Sequence, residues 1–146
     1  MSFMFCKRSL NNLFGNGDVE HCVHPILIEL MLFSIRTSDH DFSIICGWRS
    51  DSDQEKAYKE GKSQLRGGTG KHNLLPSKAI DIAPYPVDFD DISKYLTLGD
   101  HIKKCAEYLN IPIIWGGDWK MRDYGHFELP DNINIALEMA IKLKNL

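Results

Sequence analysis

The sequence predicts an α+β fold, a single domain in which a small antiparallel sheet packs with helices. Three observations lead there. The chain has 146 residues, a length for one domain rather than two. Hydrophobic residues make up 43%, enough for a self-sufficient core at a size where folding removes about 70% of the unfolded surface from water. Helix-like and strand-like patterns alternate irregularly, without the βαβ repetition of a parallel sheet.

The elements follow in order. Residues 23–37 read as a helix, with Pro25 near the first turn and apolar residues along most of one side. Residues 41–48 alternate, so that Phe42, Ile44, Cys46 and Trp48 share one face of a half-buried strand. Ser50-Asp51-Ser52-Asp53 starts a short polar helix, Gln54 to Glu60 continue it, and Gly61 stops it. Residues 61–77 hold four glycines and a proline and read as a long loop, a length that in a compact domain points to function or disorder. Residues 78–83 (KAIDIA) form a short strand that sets Asp81 on the face opposite Ile80 and Ile82. A helix within 91–110 carries Ile92, Leu96, Ile102, Cys105 and Leu109, with Gly99 as a candidate break. Residues 111–115 are a strand, 116–124 a loop, 126–129 (HFEL) a last strand, and 133–144 an amphipathic closing helix. No element is read before residue 23.

Composition removes several function classes. With 17 basic and 20 acidic residues the formal net charge is −3. That is not a disordered acidic chain, and it lacks the basic footprint of a duplex binder, so no nucleic-acid partner is expected. The longest apolar stretch, Pro25 to Ile35, is interrupted by Glu29 and falls far short of the ~20 residues of a membrane span. At the N-terminus the charges of Lys7 and Arg8 follow the apolar residues, the reverse of a secretory leader. Cys6, Cys22, Cys46 and Cys105 form no CxxC pair. They are read as reduced, buried or inert thiols of a protein synthesised in the cytosol without a signal peptide, and the chain as a monomer.

Three polar residues stand where a purely structural design has no need of them. His72 lies in the glycine-rich loop, Asp81 sits mid-strand between two isoleucines, and His126 opens the last strand, three residues after Asp123. Two imidazoles and one carboxylate suffice for a catalytic zinc, which leaves its fourth position to water, and Asp123 is then placed to act as a base. The alternative is a strand-end histidine satisfied by hydrogen bonds and an aspartate in a turn. Asp81 argues against that alternative, because an unpaired buried carboxylate is costly.

At these residues the sequence resembles a known family. The segments KHNLLPSKAIDIAPY and IIWGGDWKMRDYGHFEL are similar to the zinc peptidases that cut peptidoglycan stem peptides. These are the D-alanyl-D-alanine carboxypeptidases and L-alanyl-D-glutamate endopeptidases, many small members of which are phage endolysins. DFSIICGWRS with Gln54 resembles the strand that delivers the family's arginine, and SLNNL and VHPILIEL resemble the start of phage members. The resemblance thus covers nearly the whole chain, and it implies the D-Ala-D-Ala carboxypeptidase/hedgehog-like fold with residues 1–146 as one catalytic domain.

By position, the resemblance makes His72, Asp81 and His126 the ligands of one Zn2+ and Asp123 the catalytic acid/base. Arg49 then binds carbonyl or carboxylate oxygens of the stem peptide. The implied activity is endolysin-type hydrolysis of a stem-peptide amide, with L-alanyl-D-glutamate the leading bond. Its rivals are a D-alanyl-D-alanine carboxypeptidase or dipeptidase and an inactive wall-binding relative. The implied site of action is the cell wall, after release from the host cytoplasm. Two departures stand out. Gly70 replaces the family's serine two residues before the first histidine, and His72 and Asp81 are nine residues apart where the usual pattern has seven. Both bear on the rim of the cleft.

Several neighbours carry divided readings. Gln54 is a substrate contact or a helix cap, and Trp119 packs beside substrate or anchors its loop. Glu128 lies on the same side of its strand as His126 and either orients that ligand or is a surface charge. Tyr85 is core or rim. Lys71 is read as a solvated loop lysine, with an acidic peptide as its other possible partner. His21, His24, His40 and His101 are read as surface or capping residues.

Overall fold

Four short strands form one antiparallel sheet in the order β1-β2-β4-β3, as the α+β reading expects. The computed structural model describes residues 2–17, 21–62, 70–131 and 133. The strands are β1 (Phe42–Cys46), β2 (Ala79–Pro84), β3 (Ile114–Trp115) and β4 (His126–Glu128); the helices are α1 (Lys7–Phe14), α2 (Pro25–Thr37), α3 (Asp51–Lys59) and α4 (Ile92–Leu109). Short 3₁₀ turns lie at Gly15–Gly17, Lys71–Asn73 and Gly116–Asp118. The closing helix expected over 133–144 lies outside the described residues, save residue 133.

The register of the sheet builds the site. Asp81 on β2 stands opposite His126 on β4. On its other side, a shift in pairing between Ile44 and Cys46 sets Cys46 of β1 opposite Asp81. Such a bulge inserts one extra residue and bends its strand. Cys46, Asp81 and His126 therefore form a row across three strands. Ile80 and Ile82 flank Asp81 in sequence and are buried in the core with Ile44 and Phe127, as the two-residue period of a strand requires.

The core is filled by α2 and α4, which pack on each other. Leu27, Leu30, Met31, Leu98 and Ile102 are fully buried there. Pro25 opens α2, and the buried His24 caps it by accepting from Ile26 N at 3.2 Å, where proline at N1 has no hydrogen bond to lose. Asp91 caps α4 through Lys94 N, and Asn110 ends it in the left-handed region at φ 58°. His101, half-buried, joins these two helices with Nε2 2.9 Å from Ser34 O, a carbonyl in the last turn of α2. His21 stacks on Trp48 at 4.2 Å between ring centroids.

Three expectations are corrected. Gly99 does not break α4. A Cβ there would lie 2.3 Å from Trp115 Cζ2, so this glycine admits the indole against the helix. The strand expected over 111–115 shortens to Ile114–Trp115. The unanticipated α1 covers the edge strand β1, with Ser9 Oγ accepting from Ile44 N at 3.0 Å and Asn12 Nδ2 donating to Ile44 O at 2.7 Å. Covering an exposed edge in this way removes a row of unpaired backbone groups. Among the thiols, Cys105 is buried, Cys22 and Cys46 are half-buried, and Cys6 is exposed. No helix among the described residues is long and apolar enough to cross a membrane.

Candidate active site

The cleft takes its residues from separate parts of the chain. Asp81 and His126 come from the middle of the sheet, His72 from the 3₁₀ turn before β2, Arg49 from the exit of β1, and Asp123 and Trp119 from the loop before β4. With Gln54 of α3 and Glu128 of β4, all of these line one cavity of about 760 Å³. The residues that the resemblance assigns to metal, catalysis and substrate are therefore gathered in one place, whereas Tyr85, His21, His24, His40 and His101 do not line it.

Asp81 sits between the two imidazoles. Its Oδ2 lies 3.2 Å from His72 Nε2 and its Oδ1 3.1 Å from His126 Nδ1. Each ring is held from behind through its other nitrogen. His72 Nδ1 is 2.7 Å from Gly47 O, a carbonyl that can only accept, so Nδ1 carries the proton. His126 Nε2 is 2.8 Å from Glu128 Oε1, and Glu128 is held below the ordinary carboxylate range. Burial raises it, but the bond from His126 and the Lys71 ammonium outweigh burial. In their neutral forms both rings thus turn a lone pair toward the same carboxylate. That arrangement is favourable only when cations intervene, either a proton on each ring or one metal ion shared by all three groups.

Without a metal, protons fill that role. Burial lowers the His72 pKa, yet the charge of Asp81 and a hydrogen bond to it win and raise it to about 10. For His126 burial again lowers the pKa, and the bonds to Asp81 and Glu128 raise it to about 9. Burial pushes Asp81 up, but the two imidazoles hold it well below the ordinary carboxylate range. The donor set of two ring nitrogens and a carboxylate oxygen suits Zn2+. Ligand atoms of Asp81, Asp123 and His126 lie within 4.8 Å of one another, and so do those of Cys46, His72 and Asp81. The two histidines thus fall in separate groups that share Asp81, and the donor types, though not one closed cluster, fit the ion that the resemblance implies.

Asp123 is the contrasting carboxylate. It is exposed toward the cleft, and its pKa is raised, first by the partial burial of its inner side and then by the negative charge of Asp81, against a smaller pull from the two histidines. The turn at 116–118 fixes its place, since Asp123 N donates to Gly116 O at 2.9 Å. A Cβ on Gly116 would come within 2.4 Å of Asp123 O and 3.1 Å of His126 Cβ, so only glycine permits this approach.

Arg49 is held by Gln54, with Nη1 donating to Oε1 at 2.8 Å, and its Nη2 lies 3.5 Å from Asp81 Oδ2. Gln54 is 2% exposed. It lines the cavity from behind Arg49 and is not the cap of α3, which is Ser50 through Asp53 N. Trp119 is partly exposed at the rim, its ring 5.0 Å from that of His126. Tyr85 is exposed and not part of the core.

Two contributors were missed or misread in the sequence. Lys71 is not a solvated loop lysine. Its side chain is 17% exposed, and Nζ lies 2.6 Å from Glu128 Oε2 and 2.5 Å from Leu129 O. Its proximity to His72 was the available signal, but its partners lie far downstream. Cys46, read as inert, places Sγ 3.8 Å from His72 Nδ1 and 3.5 Å from Arg49 Nη2.

Comparison with known proteins gives consistent results. Residues 1–136 match a family described as phage L-alanyl-D-glutamate peptidase. The chain is 29% identical over 139 residues to the peptidoglycan L-alanyl-D-glutamate endopeptidase CwlK of Bacillus subtilis (strain 168), covering 83% of this chain and 81% of that one. It is also similar to the crystal structure of the L-Ala D-Glu endopeptidase ChiX of Serratia marcescens. There the TM-score is 0.71 and the identity 29%, over 87% of this chain and 90% of the other.

Proposed function

The chain belongs to the phage L-alanyl-D-glutamate peptidase family, and from that premise we propose that it is a zinc-dependent endolysin cutting the L-alanyl-D-glutamate bond of peptidoglycan stem peptides. The observation that carries the zinc reading is the shared carboxylate. Asp81 faces one nitrogen of each of two imidazoles whose other nitrogens are committed elsewhere. His72, Asp81 and His126 would hold the ion. When bound, zinc polarises the scissile carbonyl and acidifies the attacking water.

The chain's own residues do the rest. Asp123 takes a proton from the attacking water and returns it to the leaving amine as the C–N bond breaks, so that one water is consumed and a carboxylate and an amine are released. Its raised pKa brings it nearer to the operating pH, where a group that both accepts and gives a proton works best. Arg49, fixed by Gln54, offers a planar fork of donors to the oxygen on which charge develops. Trp119 supplies an apolar wall beside His126 for the peptide. Residues 1–146 act as one catalytic unit, a monomer working at the bacterial wall in phage lysis.

The test is a digest of purified peptidoglycan by the zinc-loaded protein, with new termini read by mass spectrometry beside Asp123→Ala and chelator-treated samples. A new D-glutamyl amine, absent from both controls, is the expected result. Release of D-alanine alone moves the protein to the carboxypeptidase branch. No new terminus with zinc bound leaves a wall-binding relative.

A further inference from the structure

Among the described residues, four lysine and arginine side chains line the cleft, and three of them are paired. Arg49 contacts Asp81, Lys71 contacts Glu128 and Asp131, and Lys62 contacts Glu60 at 3.2 Å. Arg122 is the fourth. It lines the same cavity, is exposed, and among the described residues has no carboxylate within ion-pair distance. Its Nη1 donates to Gly117 O at 3.2 Å. That bond anchors the guanidinium to the same 3₁₀ turn whose Gly116 carbonyl accepts from Asp123 N. Arg122 and Asp123 are therefore adjacent in the chain and moored to adjacent residues of one turn.

We propose that Arg122 determines specificity by binding the free carboxylate of the residue on the leaving side of the scissile bond. This deepens the peptidase reading above and rests on it. Asp123 delivers its proton to the leaving nitrogen, so the position beside Asp123 is the leaving side of the cleft. In an L-alanyl-D-glutamate substrate that nitrogen belongs to a glutamate. Of the two carboxyl groups of that residue, one continues the peptide and the other stays free, a few bonds from the nitrogen. A guanidinium with one edge tied to Gly117 O keeps its remaining donors for such a carboxylate, in a fork that a lysine does not reproduce. An acidic leaving residue is selected because it supplies the missing partner, while its amide counterpart leaves the cation with a weaker acceptor.

The experiment uses two synthetic stem peptides that differ only in this group, one with the free carboxylate and one with the carboxamide. Zinc-loaded wild type should favour the carboxylate in kcat/KM by about tenfold or more, the value of a hydrogen bond to a charged group. Arg122→Met should bring the ratio close to one by slowing the carboxylate substrate alone, and Arg122→Lys should restore part of it. An equal loss on both substrates in Arg122→Met shows that the residue merely holds the turn, and overturns the proposal. So does a wild-type ratio near one. Failure of the underlying reading has its own signature, since wild type then cuts neither peptide at the alanyl-glutamate bond, and the proposal falls with it.

Discussion

Asp81 and Asp123 are carboxylates of one cleft with opposite surroundings. Asp81 lies in the middle of a strand, between two imidazoles that hold it ionised. Asp123 lies on a loop, exposed to the cleft, and partial burial with the charge of Asp81 moves its pKa the other way. A carboxylate that must stay charged belongs with cations on a rigid element, whereas one that must exchange a proton belongs near another negative charge with access to water. Environments that push two like groups apart are what separates their chemical roles.

The largest effect comes from removing the first of the pair. Asp81→Asn keeps the shape but takes away the charge that both imidazoles face. Zinc affinity should fall by more than about 100-fold, beyond the 10–100-fold range for groups that only support a ligand, and hydrolysis should vanish. Equilibrium dialysis followed by metal analysis measures it. Asp123→Asn sharpens the contrast. Turnover should fall by about 10²–10⁴-fold, the usual contribution of a positioned acid/base, while the zinc content stays at that of wild type. A variant at Asp123 that lost its metal would erase the distinction between the two carboxylates.

A smaller effect is expected from the groups behind His126. Glu128→Gln leaves a neutral acceptor for Nε2 and should weaken zinc binding about 10–100-fold. Lys71→Met removes the ammonium that keeps Glu128 ionised, and its loss should fall below that of Glu128→Gln. Combining the two should add little to Glu128→Gln alone, because Lys71 acts on His126 through Glu128. Full additivity in a double-mutant cycle would show that Lys71 works by another route, through Leu129 O or the loop.

What the sequence reveals and what it conceals divide along the same line. His72, Asp81, His126 and Asp123 are legible as polar residues in local patterns that the fold alone does not need, whereas Arg49 is legible only through the family resemblance of its segment. The helix α2 and the strand β2 are legible through their apolar periodicity. Lys71 is not, since its partners on β4 become neighbours only once the sheet has formed. Gln54 looks like a capping residue because nothing local shows that Arg49 turns back onto it. Gly116 is concealed for a different reason, as its requirement is the close approach of Asp123 and His126. The helix α1 has only three apolar residues, and the contacts that help to hold it are backbone groups of β1.

A drift of stability with pH is also expected in the metal-free protein, and its sign follows from the two histidines. Both have folded pKa values raised above the ordinary 6.5, to about 10 for His72 and about 9 for His126. The folded state therefore holds their protons more tightly than the unfolded chain does. Their contribution is fully present below about pH 6.5, declines as pH rises through the folded values, and is gone above about pH 10. Asp81 has the opposite sense. Its folded pKa is depressed, so its contribution is present above the ordinary value of 3.8 and is lost as pH falls below it. Metal-free protein should thus be most stable between these limits, and denaturant titrations at pH 6, 8 and 9.5 should show a falling midpoint. Zinc binding replaces both protons and requires neutral imidazoles, so the loaded protein should keep its midpoint over the same range. Asp81→Asn should shrink the drift in the metal-free protein to the part that Glu128 sustains at His126, whereas Asp123→Asn should leave it in place. An equal drift in both variants would mean that the imidazoles titrate independently of Asp81, and that the two carboxylates are less different than their positions make them.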